Sequence, residues 1–145
     1  MKLGSVYIVA AKRTPIGSFL GKLSNFTGTQ LGGFVVKGAL ESINLNPKEV
    51  DEVILGNVLA AGLGQAPARQ ASLYGGIGVE TPCTTINKVC SSGLKSLVFG
   101  AQSIQLGHSN TVVAGGFECM SKAPFLLFNV LSIIYFLDKK RNRIR

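Results

Sequence analysis

Thr84-Thr85-Ile86-Asn87-Lys88-Val89-Cys90-Ser91-Ser92-Gly93-Leu94-Lys95-Ser96 is the stretch on which the reading of the fold turns. Through Val89 it has the β-branched, apolar character of a strand. From about Cys90 it becomes an apolar helix that runs to Leu106, with Gly107 where a helix C-terminal glycine is expected. Leu94, Leu97, Val98, Ala101 and Ile104 are mixed with small residues, which predicts burial on several faces. A strand-to-helix corner pushes a side chain out of the sheet, where a substrate can reach it. Ser91, Ser92 and Gly93 leave room there for an acyl group. Unpaired N–H groups and the positive end of the dipole at a helix start favour an anion, so a cysteine in that first turn is a candidate nucleophile. The competing reading makes Cys90 one more small buried hydrophobe.

Outward from this corner, strands and helices alternate. Val6-Tyr7-Ile8-Val9-Ala10-Ala11 reads as a buried strand, ended by Lys12-Arg13-Thr14-Pro15. Leu31, Phe34, Val35, Ala39, Leu40 and Ile43 recur at helical spacing over 29–43, and Asn44-Leu45-Asn46-Pro47 closes that helix. A second strand is predicted over 51–59. After the glycine-rich loop 61–65 comes a short helix, 67–74, with proline in its first turn. Residues 111–116 form a further strand. This order implies an α/β fold with a mostly parallel sheet covered by helices on both faces.

A chain of 145 residues with 46% apolar content can bury a core as one domain. The net charge of +8 owes much to residues 138–145, which carry five basic groups and one acid, leaving +4 for the other 137. Nucleic-acid binding does not follow from that balance. Cys83, Cys90 and Cys119 form no C-x-x-C pair and no zinc spacing with the single His108, so no metal is expected. Free thiols and the lack of a signal peptide fit a reducing compartment. Phe125 to Leu137 is an apolar run of 13 residues. A membrane helix needs about 20, so a membrane partner is not expected.

Few motifs compete with Cys90. Gly62-Leu63-Gly64-Gln65-Ala66-Pro67 begins like a dinucleotide fingerprint but has proline in place of the third glycine and follows the wrong strand. His108 reads as a surface residue. The seven acids are scattered and read as mostly solvated.

Four stretches in order, Val9 to Phe19, Gly56 to Ala71, Thr85 to Cys90 and Val113 to Ser121, resemble the thiolase family, in particular the acetyl-CoA acetyltransferases of mitochondrial type. The resemblance spans residues 5–124. It implies the N-terminal half of the thiolase fold, in truncated form, with 1–124 as an incomplete thiolase domain and 125–145 as a non-family apolar segment and basic tail.

The resemblance also implies an activity: reversible acetyl transfer between coenzyme A thioesters, with acetyl-CoA or acetoacetyl-CoA as substrate and no covalently bound cofactor. Cys90 corresponds to the nucleophile that forms the acyl thioester, and its backbone N–H can steady the oxyanion. Phe117 and Cys119 depart from the family's usual residues. The family's histidine and its second, base cysteine are not in these 145 residues, so the chain alone is expected to be inactive. Family members are homo-oligomers, and an alternative is a non-catalytic chain that joins full-length subunits. A ketosynthase-like condensing enzyme is a third reading. The mitochondrion is the expected compartment by resemblance, with the cytosol as the alternative because no presequence is visible.

Overall fold

The computed structural model describes residues 4–126, and the predicted apolar run and basic tail lie almost wholly outside them. Three parallel strands form the sheet: β1 (Glu52–Gly56), β2 (Cys83–Ile86) and β3 (Val112–Gly116), in the order β2-β1-β3. Central β1 reads Val53-Ile54-Leu55 and is buried on both faces, as a middle strand of a parallel sheet must be. Its register brings Gly56 opposite both Ile86 and Gly116, so the three strands end level with one another.

Three helices cover this sheet: α1 (Gly28–Ser42), α2 (Pro67–Tyr74) and α3 (Ser92–Gln105). Successive strand residues point to opposite faces. Val53 and Leu55 face α2 and form the main core with Val36 and Leu40 of α1, Ala68 and Ala71 of α2, and Ile77. The other face, with Gly56, Val112, Ala114 and Gly116, receives α3. Helices thus lie on both faces, as the alternation predicts.

Local signals explain most boundaries. Thr27 and Gln30 form a reciprocal capping box, with the Gln30 N–H donating to Thr27 Oγ1 at 3.2 Å and the Thr27 N–H to Gln30 Oε1 at 2.9 Å. Gly107, at φ 75°, ends α3 where glycine was expected.

Three expectations need correction. Val6 to Ala11 is not a buried strand: it has no strand partner among the described residues, and Tyr7 is 79% exposed. A strand exists only through its neighbour, and local β-character cannot supply one. The strand before Cys90 stops at Ile86, and the helix begins at Ser92, so Cys90 sits in a turn one residue ahead of the N-cap Ser91.

Contrary to expectation, α3 also does not bury several faces. Its small residues Ser92, Ser96 and Gly100 lie on the sheet, while Leu94, Leu97, Val98 and Phe99 are exposed. A Cβ on Gly56 would stand 2.5 Å from the Ser92 carbonyl carbon, and one on Gly116 would stand 3.2 Å from the Gly93 Cα. Backbones that close exclude large side chains, so the bulky residues of α3 turn outward.

Candidate active site

The level strand ends define the site. In parallel α/β sheets ligands bind outside the carboxyl ends of the strands, and here each strand runs directly into a wall of one cleft. Residues 57–59 follow β1, 87–90 follow β2, and 117–120 follow β3. The cleft measures about 560 Å³, within the range of small-molecule sites. Cys90 opens into it, beside Asn57, Leu59, Gly93 and Met120.

Cys90 is the exposed member of the three free cysteines; Cys83 and Cys119 are half-buried. The Cys83 Sγ lies 3.4 Å from the Thr81 carbonyl. Cys119 lines a neighbouring cleft of about 390 Å³ with Ile16, Phe19 and Leu23. His108 is exposed after the end of α3, as expected.

A short network of side chains shapes the turn that carries Cys90. Asn87 Oδ1 accepts the Val89 N–H at 2.9 Å, and Asn87 Nδ2 donates to the Val58 carbonyl at 3.4 Å. The buried Ser92 hydroxyl accepts the Lys88 N–H at 2.8 Å and donates to the Val89 carbonyl at 2.6 Å. Ser92 therefore does not simply leave space for an acyl group, because its hydroxyl is committed to the turn. Below it, the fully buried Ser96 Oγ reaches the Gly93 and Gly115 carbonyls at 2.6 and 2.7 Å, pinning the first turn of α3 to β3.

Glu118 is the residue that the sequence reading missed. Instead of being solvated, its carboxylate is half-buried and accepts three N–H groups from the opposite wall. Asn57 Nδ2 donates to Oε1 at 2.9 Å, the Val58 N–H to Oε2 at 2.9 Å, and the Leu59 N–H to both oxygens at 3.3 Å. Asn57 is only 2% exposed, and its Nδ2 also approaches the Phe117 carbonyl at 3.4 Å. The signal in the sequence was positional: Asn57 follows the last residue of β1, and Glu118 comes two residues after the last of β3. Phe117, the unusual residue here, is buried against Gly28 and Gly32 of α1 at the base of the cleft wall.

The chemical content is a free thiol on a constrained turn at a helix start, a cleft of substrate size and a rigid opposite wall. The turn consumes the amides of Ser91 and Ser92, which donate to the Lys88 and Val89 carbonyls at 3.2 and 3.0 Å, but not that of Cys90. A thiol and a backbone donor on one residue suit attack on a carbonyl carbon and stabilisation of its oxygen.

The family model described as thiolase, N-terminal domain, matches residues 6–142. The chain belongs to the thiolase family. It is 55% identical over 128 residues to the cytosolic acetyl-CoA acetyltransferase of Gibberella zeae, covering 88% of this chain and 32% of that one. It is 51% identical over 125 residues to the mitochondrial acetyl-CoA acetyltransferase of Homo sapiens, covering 86% of this chain and 29% of that one. Among solved structures, a thiolase from Ascaris suum crystallised in complex with coenzyme A superposes with a TM-score of 0.83 at 47% identity, over 85% of this chain and 32% of that one. This thiolase chain therefore spans about 30% of the length of the curated relatives it matches, and those relatives include both cytosolic and mitochondrial enzymes.

Proposed function

We propose that Cys90 is the acyl acceptor of an acetyltransferase acting on coenzyme A thioesters. The observation that carries the reading is an exposed thiol held at the strand ends, facing a cleft of substrate size, in a family whose named relatives are acetyl-CoA acetyltransferases. In the first half-reaction the Cys90 sulfur bonds to the acetyl carbonyl carbon. The carbon–sulfur bond to coenzyme A breaks, coenzyme A leaves with the electron pair, and the proton of Cys90 ends on the departing thiol. The Cys90 amide N–H steadies the oxygen of the tetrahedral intermediate. Condensation with a second acetyl-CoA requires a base to remove a methyl proton, and among the described residues the one carboxylate lining the cleft, Glu118, is already engaged by the Asn57, Val58 and Leu59 N–H groups. Each such group contributes about 10²–10⁴-fold, so this chain alone forms the acetyl-enzyme and goes no further.

Intact-mass analysis of the purified chain with acetyl-CoA is expected to show one acetyl group, mapped to Cys90 and lost in Cys90→Ser, with no acetoacetyl-CoA thiolysis. An unmodified Cys90 refutes the first claim, and robust turnover refutes the second. A second reading, a chain that associates with full-length thiolase subunits, is favoured by the exposed apolar residues Leu94, Leu97 and Val98 of α3. Co-purification with such a subunit supports it, and a monodisperse monomer in the presence of one counts against it. Mitochondrion and cytosol are the two candidate settings, separable by cell fractionation.

A further inference from the structure

The residue before Cys90 holds a backbone conformation that its side chain disfavours. Val89 has φ 52°, in the left-handed region, where a β-branched residue is an outlier because Cβ crowds the backbone. It is 65% exposed, so packing of its isopropyl group does not hold it there.

Hydrogen bonds do. Two peptide groups flank Val89 and contain four polar atoms. The Lys88 carbonyl accepts from the Ser91 N–H at 3.2 Å and from Ser91 Oγ at 2.9 Å. The Val89 N–H donates to Asn87 Oδ1 at 2.9 Å. The Val89 carbonyl accepts from the Ser92 N–H at 3.0 Å and from Ser92 Oγ at 2.6 Å. The fourth atom is the Cys90 amide nitrogen, which takes no part in these turn bonds. Ser92 can act as the anchor because it is 4% exposed and its backbone lies against Gly56 at the end of β1.

We propose that Ser92 and Asn87 are positioning residues for Cys90. They hold Val89 in the left-handed conformation, which keeps the Cys90 amide out of the turn and turns its thiol to the cleft. The inference rests on the reading of Cys90 as the acyl acceptor. Without the clamp, Val89 relaxes to negative φ, the peptide between Val89 and Cys90 rotates, and thiol and amide no longer act on one carbonyl group.

A rescue experiment on the full chain tests this. The rate of Cys90 acetylation by acetyl-CoA is followed by mass spectrometry with peptide mapping, beside the rate of Cys90 alkylation by iodoacetamide. Ser92→Ala is expected to slow acetylation at least tenfold and alkylation less than threefold, because alkylation creates no oxyanion to be steadied. Adding Val89→Gly to Ser92→Ala is expected to bring acetylation back to within threefold of the wild-type chain, since glycine adopts positive φ without a clamp. Ser92→Thr, which keeps the hydroxyl, is expected to behave as wild type. Asn87→Ala, at an exposed position where folding is not at stake, is expected to show the same split in rates and the same rescue. Acetylation at the wild-type rate in Ser92→Ala and Asn87→Ala overturns the proposal, and so does a failure of Val89→Gly to restore it. A wild-type chain that takes no acetyl group overturns the functional reading instead. The clamp is then decided by the NMR shifts of residue 89, which leave the left-handed range in Asn87→Ala if the clamp holds and stay there if it does not.

Discussion

Glu118 joins two walls of the cleft, and removing its carboxylate has a calculable consequence. In Glu118→Ala three donors lose their acceptor. The Asn57 amide is the costly one: it is buried and retains only the 3.4 Å approach to the Phe117 carbonyl. A hydrogen bond to a charged group contributes about 1.5–3 kcal/mol, and a buried donor left unmade costs about 1–3 kcal/mol. The Asn57 bond at 2.9 Å therefore accounts for about 2 kcal/mol. The Val58 N–H, also at 2.9 Å but less deeply buried, accounts for about 1 kcal/mol. The longer, exposed Leu59 contact at 3.3 Å is replaced by water at little cost. The expected loss is about 3 kcal/mol, a fall in Tm of about 6–12 °C for a domain of this size.

Glu118→Gln separates charge from shape. The amide keeps one acceptor oxygen but sets its NH₂ against either Asn57 Nδ2 or the Val58 N–H, donor against donor. It should cost about half as much as alanine, roughly 1.5 kcal/mol. Urea unfolding followed by circular dichroism reads both values, with m unchanged if the transition stays two-state. A double-mutant cycle with Asn57→Ala should give a coupling of at least about 1 kcal/mol. A Glu118→Ala chain within about 0.5 kcal/mol of wild type, or a coupling near zero, refutes the account.

Three further outcomes follow from other contacts. Gly56→Ala sets a Cβ 2.5 Å from the Ser92 carbonyl carbon and 2.7 Å from the Gly93 nitrogen, where only backbone can yield. It should cost about 3 kcal/mol by overpacking and slow Cys90 acetylation in the same protein, and a neutral result in a thermal melt contradicts that contact. Asp51 accepts the Asn110 and Thr111 N–H groups on Oδ2 at 2.7 and 3.0 Å, bonds that hold its carboxyl below the ordinary range, Asn110 contributing most. Its folded value lies below its unfolded one, so the stability it adds is present above the unfolded value near pH 4 and is lost as pH falls through the folded value. The urea midpoint of Asp51→Asn should therefore fall less steeply between neutral and acid pH than that of the wild type, and identical slopes would rule the linkage out. Leu94→Gln, on the open face of α3, should change stability by less than about 0.5 kcal/mol while lowering binding of an apolar dye; a large loss of stability would mean that the face is covered.

What the sequence made legible, and what it hid, divides along physical lines. Short-range rules were sufficient for α1, where a 3.6-residue apolar pattern runs up to Asn44-Leu45-Asn46-Pro47, and for α2, where proline opens the helix. They also placed Gly107. They failed wherever the partner of a residue is distant in sequence. Val6 to Ala11 has every local property of a strand and none of its hydrogen bonds among the described residues. Glu118 reads as one more acid until Asn57 and Val58, about 60 residues earlier, are laid beside it. The cysteine itself stood out because a strand-to-helix corner is a local feature, but its support did not. Nothing in Asn-Lys-Val-Cys-Ser-Ser announces that Val89 is left-handed, because valine is among the last residues a turn of that kind would select.

The face presented by α3 connects these cases. Helical periodicity assigns the large apolar residues to the core, yet here Leu94, Leu97 and Val98 look outward and Ser92, Ser96 and Gly100 look in. The inversion follows from one requirement, that the start of α3 lie directly over the ends of β1 and β3. Gly56 and Gly116 supply the flat surface, Gly93 the close approach, and Ser96 the bonds that join helix to strand. A leucine at position 92 or 96 would bury more apolar area but lift the helix from the sheet. The turn before the helix would rise with it, and Ser92 could no longer reach the Lys88 N–H and the Val89 carbonyl together. Small residues at this contact thus give up hydrophobic stabilisation and gain placement. They set the Cys90 turn at the same level as the ends of all three strands, opposite the wall that Glu118 holds.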